Sequence, residues 1–324
     1  MDKTYQVSFD GKICKIESEQ QILADMNVTV VDQKLMLVLN QKNTIFLDEF
    51  SLKIAIEHLL SLFSFIRTIG IQTELNVDYE SAFSYFWREP GFYSLSTEEF
   101  FQLPGLWLKK GDFRVVPEVA TKTCDRVHPG RPLVRSGYAY KRYNPQIDKT
   151  IAFRTADLDE DLLRFYEWNH QPRVSEFWEL NQSKDDLSEY LKKGLSDPHQ
   201  IPMIVELNNV PIGYFEMYWV PEDRLGPYYE CDSYDRGFHF LIGNTDYLGF
   251  NYTDAVIKAA LHFLFLDEPR TKRIMAEPRY DNHRILKYVD AIPAWKRIKE
   301  FDFPHKRAVL LECERGAFFS GHFL

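Results

Sequence analysis

The chain has 324 residues, 45% of them apolar and 15% aromatic, with a formal net charge of −9. That length and apolar content can bury a large core and fill two domains of ordinary size, which excludes a disordered or fibrous chain. The acidic balance excludes general nucleic-acid binding, which needs a basic surface to displace phosphate counterions.

Met1 to Asp10 lack the apolar core of a signal peptide, and no later stretch of about 18 apolar residues is free of charge. A soluble cytoplasmic protein with no membrane partner is therefore expected. Cys14, Cys124, Cys231 and Cys313 are far apart and form no C-x-x-C pair, so spacing encodes neither a disulfide framework nor a zinc site. Buried free thiols are the expectation.

In chain order, residues 1–75 read as short strands, such as 27–31 and 34–39, followed by an apolar-periodic helix over about 52–68. Residues 83–110 are aromatic-rich and broken by Pro90, Gly91, Pro104 and Gly105, which suits irregular packing. His128-Pro129-Gly130-Arg131-Pro132 and residues 138–145 form a connector, and a domain boundary is expected near 148. Residues 1–148 are then an accessory domain plus connector, and 149–324 the working domain. The second part alternates regularly: strand 150–154, helices 159–170 and 184–194, strands 202–207 and 211–219 joined by an Asn208-Asn209 hairpin turn, and strand 237–243. Helix 252–266, strand 273–277, helix 281–289 and strand 307–313 complete an α+β series around a mixed sheet.

Acid is not evenly spread: residues 1–150 carry 19 acidic and 18 basic residues, residues 151–324 carry 29 and 21. Glu216, Glu222, Asp223, Glu230, Asp232 and Asp235 face a single base, Arg224, within 216–235. Such a run is either a solvated loop or a favourable field for a cationic small molecule. Further on, the strand ending at Gly243, the loop 244–252 and the helix starting at Thr253 would aim backbone N–H groups and a helix dipole at an anion. A plain strand–turn–helix reads the same way.

Five ordered segments carry a more specific signal: WNHQPRVSEFWE at 168–179, GYFEMYWVPED at 213–223, YDRGFHFLIG at 234–243, FLDEPRTKRIMAEPRYDN at 265–282 and FPHKRA at 303–308. With these motifs the second part resembles the GNAT superfamily and, within it, the siderophore-biosynthesis N-acyltransferases of the aerobactin-type N-hydroxylysine acetyltransferase family. The phosphate loop departs from the superfamily pattern, since Asp246-Tyr247-Leu248-Gly249-Phe250-Asn251 replaces the usual Arg/Gln-x-x-Gly-x-Gly/Ala. The first 120 residues match only as an extra domain, which could be a degenerate copy of the fold, a lid or a dimerisation surface.

The resemblance implies an acyl-CoA, acetyl-CoA before succinyl or longer thioesters, splayed between the His239 strand and the strand at 273–277. Its pantetheine would lie along Phe240, Leu241, Ile242 and Gly243, and its pyrophosphate at Gly249, Phe250, Asn251, Tyr252 and Thr253. Asn282 would contact pantetheine or cap its helix. Aminolysis of a thioester needs a base, an oxyanion donor and an acid for the thiolate, and no metal. His239 is the candidate base, its strand neighbours facing the other side; Asp281 would orient it or the acceptor, or cap a helix; Tyr288 is the candidate acid. Trp178, Glu179, Glu216, Tyr218, Trp219, Glu222, Asp223 and Asp232 are the candidates for holding an aliphatic ammonium. Arg173 or Arg236 would meet a carboxylate, unless Arg236 pairs with Asp235 or Asp232.

The expected product is a hydroxamate, formed on N-hydroxyputrescine, N-hydroxycadaverine or N-hydroxylysine by direct attack in a ternary complex. The acidic run favours the two diamines. Rival readings are an aminoglycoside-type or protein N-acetyltransferase and a non-catalytic CoA-binding protein. A monomer or homodimer is expected.

Overall fold

In the computed structural model, residues 5–19, 21–40, 42–73, 84–89, 92–109, 116–123, 126–132 and 136–324 are described; Pro90, Gly91 and Cys124 lie outside them. The first unit, Met1–Leu106, begins with β1 (Tyr5–Phe9), β2 (Ile13–Ser18), β3 (Gln21–Val31) and β4 (Lys34–Leu39), which pair antiparallel in sequence. Helix α1 (Glu49–Leu62) follows, started by a capping box in which the Asp48 carboxylate accepts from the Ser51 amide. It stops six residues short of the position expected from its apolar period, because β5 (Thr68–Gln72) needs an extended Thr-Ile-Gly-Ile run to join the sheet. The segment expected to be irregular carries β6 (Trp87–Glu89), β7 (Phe92–Ser96) and the short α2 (Thr97–Phe100).

Strands β4 and β5 run parallel on either side of α1 and stay paired over five positions, from Lys34↔Thr68 to Val38↔Gln72. A strand–helix–parallel strand unit is thus present in the first unit, with its two strands closed against each other.

The second compact unit is Trp107–Leu324, so the division falls at Leu106 rather than near 148. The reason lies in the presumed connector: β8 (Ala120–Thr123) and β9 (Arg126–Pro129) form a ribbon, and β10 (Tyr138–Asn144) is already an edge strand of the second sheet. The sheet continues through β11 (Lys149–Thr155), β12 (Gln200–Leu207), β13 (Val210–Trp219), β14 (Arg236–Ile242), β15 (Arg273–Ala276), β16 (Trp295–Asp302) and β17 (Arg307–Glu314). The order is β10-β11-β12-β13-β14-β15-β17-β16, every pair antiparallel except β14 with β15. Strand β16 has no apolar alternation, being exposed along most of its length, and so left no trace in the pattern of the sequence.

Helices α3 (Leu158–Asn169), α4 (Pro172–Trp178) and α5 (Lys184–Ser196) lie between β11 and β12. The unforeseen α4 begins with proline at its first turn, where a missing N–H costs nothing. Helix α6 (Phe250–Asp267), buried from Thr253 to Leu266 except at Lys258, crosses from β14 to β15. Beneath it Phe153 meets Phe215 edge to face and Phe215 stacks on Phe240, each pair with centroids 5.1 Å apart, which fixes the middle of the sheet. Helices α7 (His283–Asp290) and α8 (Arg315–Ser320) close the chain.

The consequence for function is at β14 and β15. These strands pair only at Arg236↔Ile274 and Gly237↔Met275, and beyond those two positions they part. Cys14 and Cys313 are buried free thiols and Cys231 is partly buried. Among the described residues no helix is long and apolar enough to cross a membrane.

Candidate active site

Two adjoining cavities open where the strands part. One, of about 450 Å³, is lined by Phe240, Leu241 and Ile242 of β14, by Leu248, Gly249, Phe250 and Thr253 at the start of α6, and by Asn282, Ile285 and Tyr288 of α7 and its cap. The other, of about 380 Å³, is lined by Trp178, Glu179, Glu216, His239 and Glu277, among others. Phe177, Trp178, Phe240, Asn282 and Ile285 belong to both, so the cavities share a wall.

In the first cavity the loop glycine sits at φ +136°, a conformation only glycine takes without strain, and a Cβ there would meet nothing within 4 Å. Arg173, Arg284 and Lys287 add three cations to the lining. Arg173 donates to Gly243 O at 3.0 Å, while its Nε is buried without a partner. Burial, and then the like charge of Arg284, hold its pKa below the ordinary arginine value. Two guanidiniums that repel each other across a cavity at a helix N-terminus suit a phosphorylated ligand. Positive charge that the irregular loop lacks is thus supplied from α4 and α7.

In the second cavity His239 stands between two carboxylates. Its Nδ1 is 3.2 Å from Glu216 Oε2 and its Nε2 2.8 Å from Glu277 Oε1. Glu216 is its direct cross-strand partner on β13, and Glu277 follows the last residue of β15. Tyr190 and Tyr214 donate to Glu216 at 2.5 and 3.2 Å, and Tyr218 donates to Glu277 at 2.8 Å with its ring 4.7 Å from the imidazole. Burial works against charging the ring, but the Coulombic pull of Glu277 and the hydrogen bonds to both carboxylates outweigh it and push its pKa up to about 9. Burial also works against both carboxylates being charged, yet His239 and their other partners hold them below the usual range. The three groups titrate as a set carrying one net negative charge at neutral pH.

Beside this triad lies a group of cations that the sequence did not suggest. Arg224 and Lys306 each approach the Glu277 carboxylate at 3.7 Å, Lys306 also donating to the Glu277 carbonyl at 2.8 Å, and His305 joins them in the lining. Burial and the charge of Arg224 push the pKa of Lys306 down despite Glu277; burial, Arg224 and Lys306 do the same to His305. These basic groups therefore repel one another in the lining.

Several expected site residues are elsewhere. Asp281 is half-buried and lines neither cavity; Arg279 donates to it in bidentate fashion at 3.0 and 2.8 Å. Both ring nitrogens of His239 are taken by Glu216 and Glu277, so Asp281 does not orient the imidazole; nor does it cap α7, since Asn282 accepts from the Ile285 amide. Tyr288 lines the first cavity and stacks on Phe250 at 5.4 Å, away from the triad. Arg173, expected at the acceptor, lines the first cavity instead.

Asn251 and Tyr252 line neither cavity, and Tyr252 packs on Tyr247. Gly243 follows the last residue of β14 and lines neither cavity, its carbonyl accepting from Gln171 and Arg173. Trp219 is sandwiched between Arg131 and Arg236, with guanidinium carbons 4.1 and 3.9 Å from the ring. Glu222 accepts two bonds from Arg131, at 2.6 and 2.8 Å, which anchors the 126–132 segment. Asp223 and Asp232 bond the amides of Leu225 and Tyr234 in turns. Arg236 is fully buried and pairs with Asp267 at 3.0 Å, not with Asp235 or Asp232; Asp235 is taken by Arg273.

A family profile described as an acetyltransferase (GNAT) domain matches residues 157–303. The chain is 38% identical over 223 residues to the Escherichia coli N(6)-hydroxylysine O-acetyltransferase, covering 68% of this chain and 70% of that one. It is 38% identical over 207 residues to the N(5)-hydroxyornithine:cis-anhydromevalonyl coenzyme A-N(5)-transacylase of Beauveria bassiana, covering 63% of this chain and 45% of that one. A crystal structure of a Bacillus halodurans protein superposes with a TM-score of 0.54 at 31% identity, covering 56% of this chain and 95% of that one. Parted parallel strands with a helix crossing between them, a profile over the same segment and a relative 38% identical and matched over 70% of its length lead to one conclusion: the chain belongs to the GNAT acetyltransferase family.

Proposed function

We propose that the second unit transfers an acyl group from an acyl-CoA to the hydroxylated nitrogen of an ω-N-hydroxy-α-amino acid, N6-hydroxylysine first, giving a hydroxamate for siderophore assembly. The observation that carries this reading is the parting of β14 and β15 with His239, held by two carboxylates, in the lining of the second cavity, which shares a wall with the first. The first cavity has the phosphate-seeking cations and the open strand edge an acyl-CoA needs. The second has the base.

A hydroxylamine nitrogen is less basic than an alkylamine because the adjacent oxygen withdraws electrons, so it arrives neutral and nucleophilic. When it attacks the thioester carbon, it must lose a proton. With Nε2–H kept on Glu277, the more loosely held Nδ1 on the Glu216 side collects that proton; as the C–N bond forms the thioester C–S bond breaks, and CoA leaves as the thiolate that takes the proton back from Nδ1. Trp178 forms part of the wall between the cavities and fixes its indole by donating to Phe240 O at 3.3 Å.

An amino-acid acceptor is favoured over the diamines that the acidic run suggested, because Glu222, Asp223 and Asp232 are spent on Arg131 and on turns, while Arg224, His305 and Lys306 face the cavity. Arg224 and Lys306 suit an α-carboxylate, and Glu179 in the same lining suits an α-ammonium. The expected kcat/KM is at least about tenfold higher for N6-hydroxylysine than for N-hydroxycadaverine, one charge-assisted contact being worth about that factor. Arg224→Ala and Lys306→Met should remove the difference. Product is followed by the ferric colour of a hydroxamate, which an O-acyl ester does not give. A diamine that outperforms the amino acid, or thiol release without ferric colour, would overturn the assignment.

A further inference from the structure

Resting on that reading, we infer that Tyr190 reads the acceptor's N-hydroxyl group: its phenol oxygen accepts from the substrate O–H and so turns the nitrogen, not the oxygen, to the thioester. Tyr190 lies on α5 one turn from Leu187 and next to Leu191, both buried, which brings its ring to the inner face of the helix. Stacking on Phe165, with centroids 6.1 Å apart, holds the ring there. The residue is half-buried and lines the second cavity together with Glu216 and His239.

A phenol has a single proton to donate and acceptor capacity besides. Here that proton goes to Glu216 Oε1 at 2.5 Å, while Oε2 of the same carboxylate faces His239 Nδ1 at 3.2 Å. Burial and then the charge of Glu216 hold the Tyr190 pKa far above the usual phenol range, so the proton stays on the oxygen. Toward the cavity Tyr190 is therefore an acceptor, one carboxylate away from Nδ1. Arg224, Arg279 and Lys306 of the lining bring only side-chain donors, and the Glu277 carboxylate already takes His239 and Tyr218. A neutral alkylhydroxylamine presents one N–H and one O–H. With the N–H on Nδ1, the O–H finds Tyr190. As the C–N bond forms and the C–S bond breaks, the N–H proton passes by way of Nδ1 to the departing thiolate, and the O–H bond stays whole.

The test measures thiol release with N6-hydroxylysine and with its O-methyl analogue, which keeps a weakly basic nitrogen but has no O–H to give. We expect the parent's kcat/KM to favour the hydroxyl compound by about tenfold or more, since a polar site rejects an analogue that leaves it unpaired. Tyr190→Phe should bring that ratio close to one, and its thiol release should exceed hydroxamate formation, the excess being O-acyl ester. Tyr214→Phe is the control. It removes the other phenol on Glu216 Oε1, yet Tyr214 is 1% exposed and lines neither cavity, so it should leave the ratio in place. The inference is overturned, and the acyltransferase reading left intact, by a parent that takes both acceptors alike or by a ratio that Tyr190→Phe does not move. A ratio that Tyr214→Phe lowers equally, or thiol and hydroxamate still equal in Tyr190→Phe, overturns it as well. A parent that releases thiol with neither acceptor defeats the acyltransferase reading itself.

Discussion

His239→Ala is expected to lower kcat by about 10²- to 10⁴-fold, the range for removing a positioned acid–base group, while acyl-CoA affinity changes by less than about twofold. The split follows from placement: the imidazole lines the acceptor cavity and not the cavity assigned to the nucleotide. Thiol release measured against acyl-CoA concentration gives kcat, and calorimetry gives affinity. Removing the imidazolium also leaves Glu216 and Glu277, both almost fully buried, without their shared cation. A fall in thermal stability should therefore accompany the loss of rate. His239→Gln keeps a donor for one carboxylate and should recover stability more than rate. A variant that retains its fold and a kcat within about threefold of the parent would remove His239 from the chemistry.

Gly237→Ala should damage stability and rate together. A Cβ at this position would lie 2.4 to 2.6 Å from Cζ, Cε2 and Oη of Tyr218. Tyr218 is only 1% exposed, so its ring has nowhere cheap to go. Displacing it breaks the hydroxyl's bond to Glu277 and the contact of its ring with His239. Overpacking of this kind costs about 1–3 kcal/mol, read as a lower Tm. The same displacement loosens Glu277 and should reduce kcat by more than tenfold. Tyr218→Phe separates the two effects, since it deletes the hydroxyl and keeps the ring: rate should drop with little change in Tm. Unchanged Tm and kcat in Gly237→Ala would mean that the ring does not support the triad.

Much of this site could be read from the sequence because strand alternation is a strong constraint. His239 differs in face from Phe238 and Phe240, and that parity alone aims it away from the α6 side. Parity also holds a warning about Arg236, which shares the face of Phe238 and ends fully buried against Trp219 and Asp267. The hairpin signal at Asn208-Asn209 fixes β12 with β13, but the Glu216↔His239 register depends on β14 returning beside β13 after a 16-residue excursion. Charge runs were the weak guide. They count acids without showing which of them meet a partner, and Glu222, Asp232 and Asp235 are bound to Arg131, a turn amide and Arg273. Glu277 sits at a strand end and Asp281 in a polar turn, a pattern that points to Asp281, whereas in the fold Glu277 faces the imidazole and Asp281 is held by Arg279. The sole base in the acidic run, Arg224, and the His305-Lys306 pair were the signal for the cation cluster. Edge strand β16, which brings Trp295 to the cavity, carries no period to find.

The most direct test of His239 as a base clamped by two carboxylates is the pH dependence of kcat/KM between pH 6 and 10, for the parent and for Glu277→Gln. Only the neutral imidazole accepts a proton, and its pKa in the free protein is about 9. The parent's kcat/KM should therefore climb about tenfold per pH unit through neutrality and level off near 9. Removing the charge of Glu277, whose pull raises that pKa, should move the bend to lower pH. A profile flat between pH 7 and 9, or a bend that Glu277→Gln leaves in place, would contradict it.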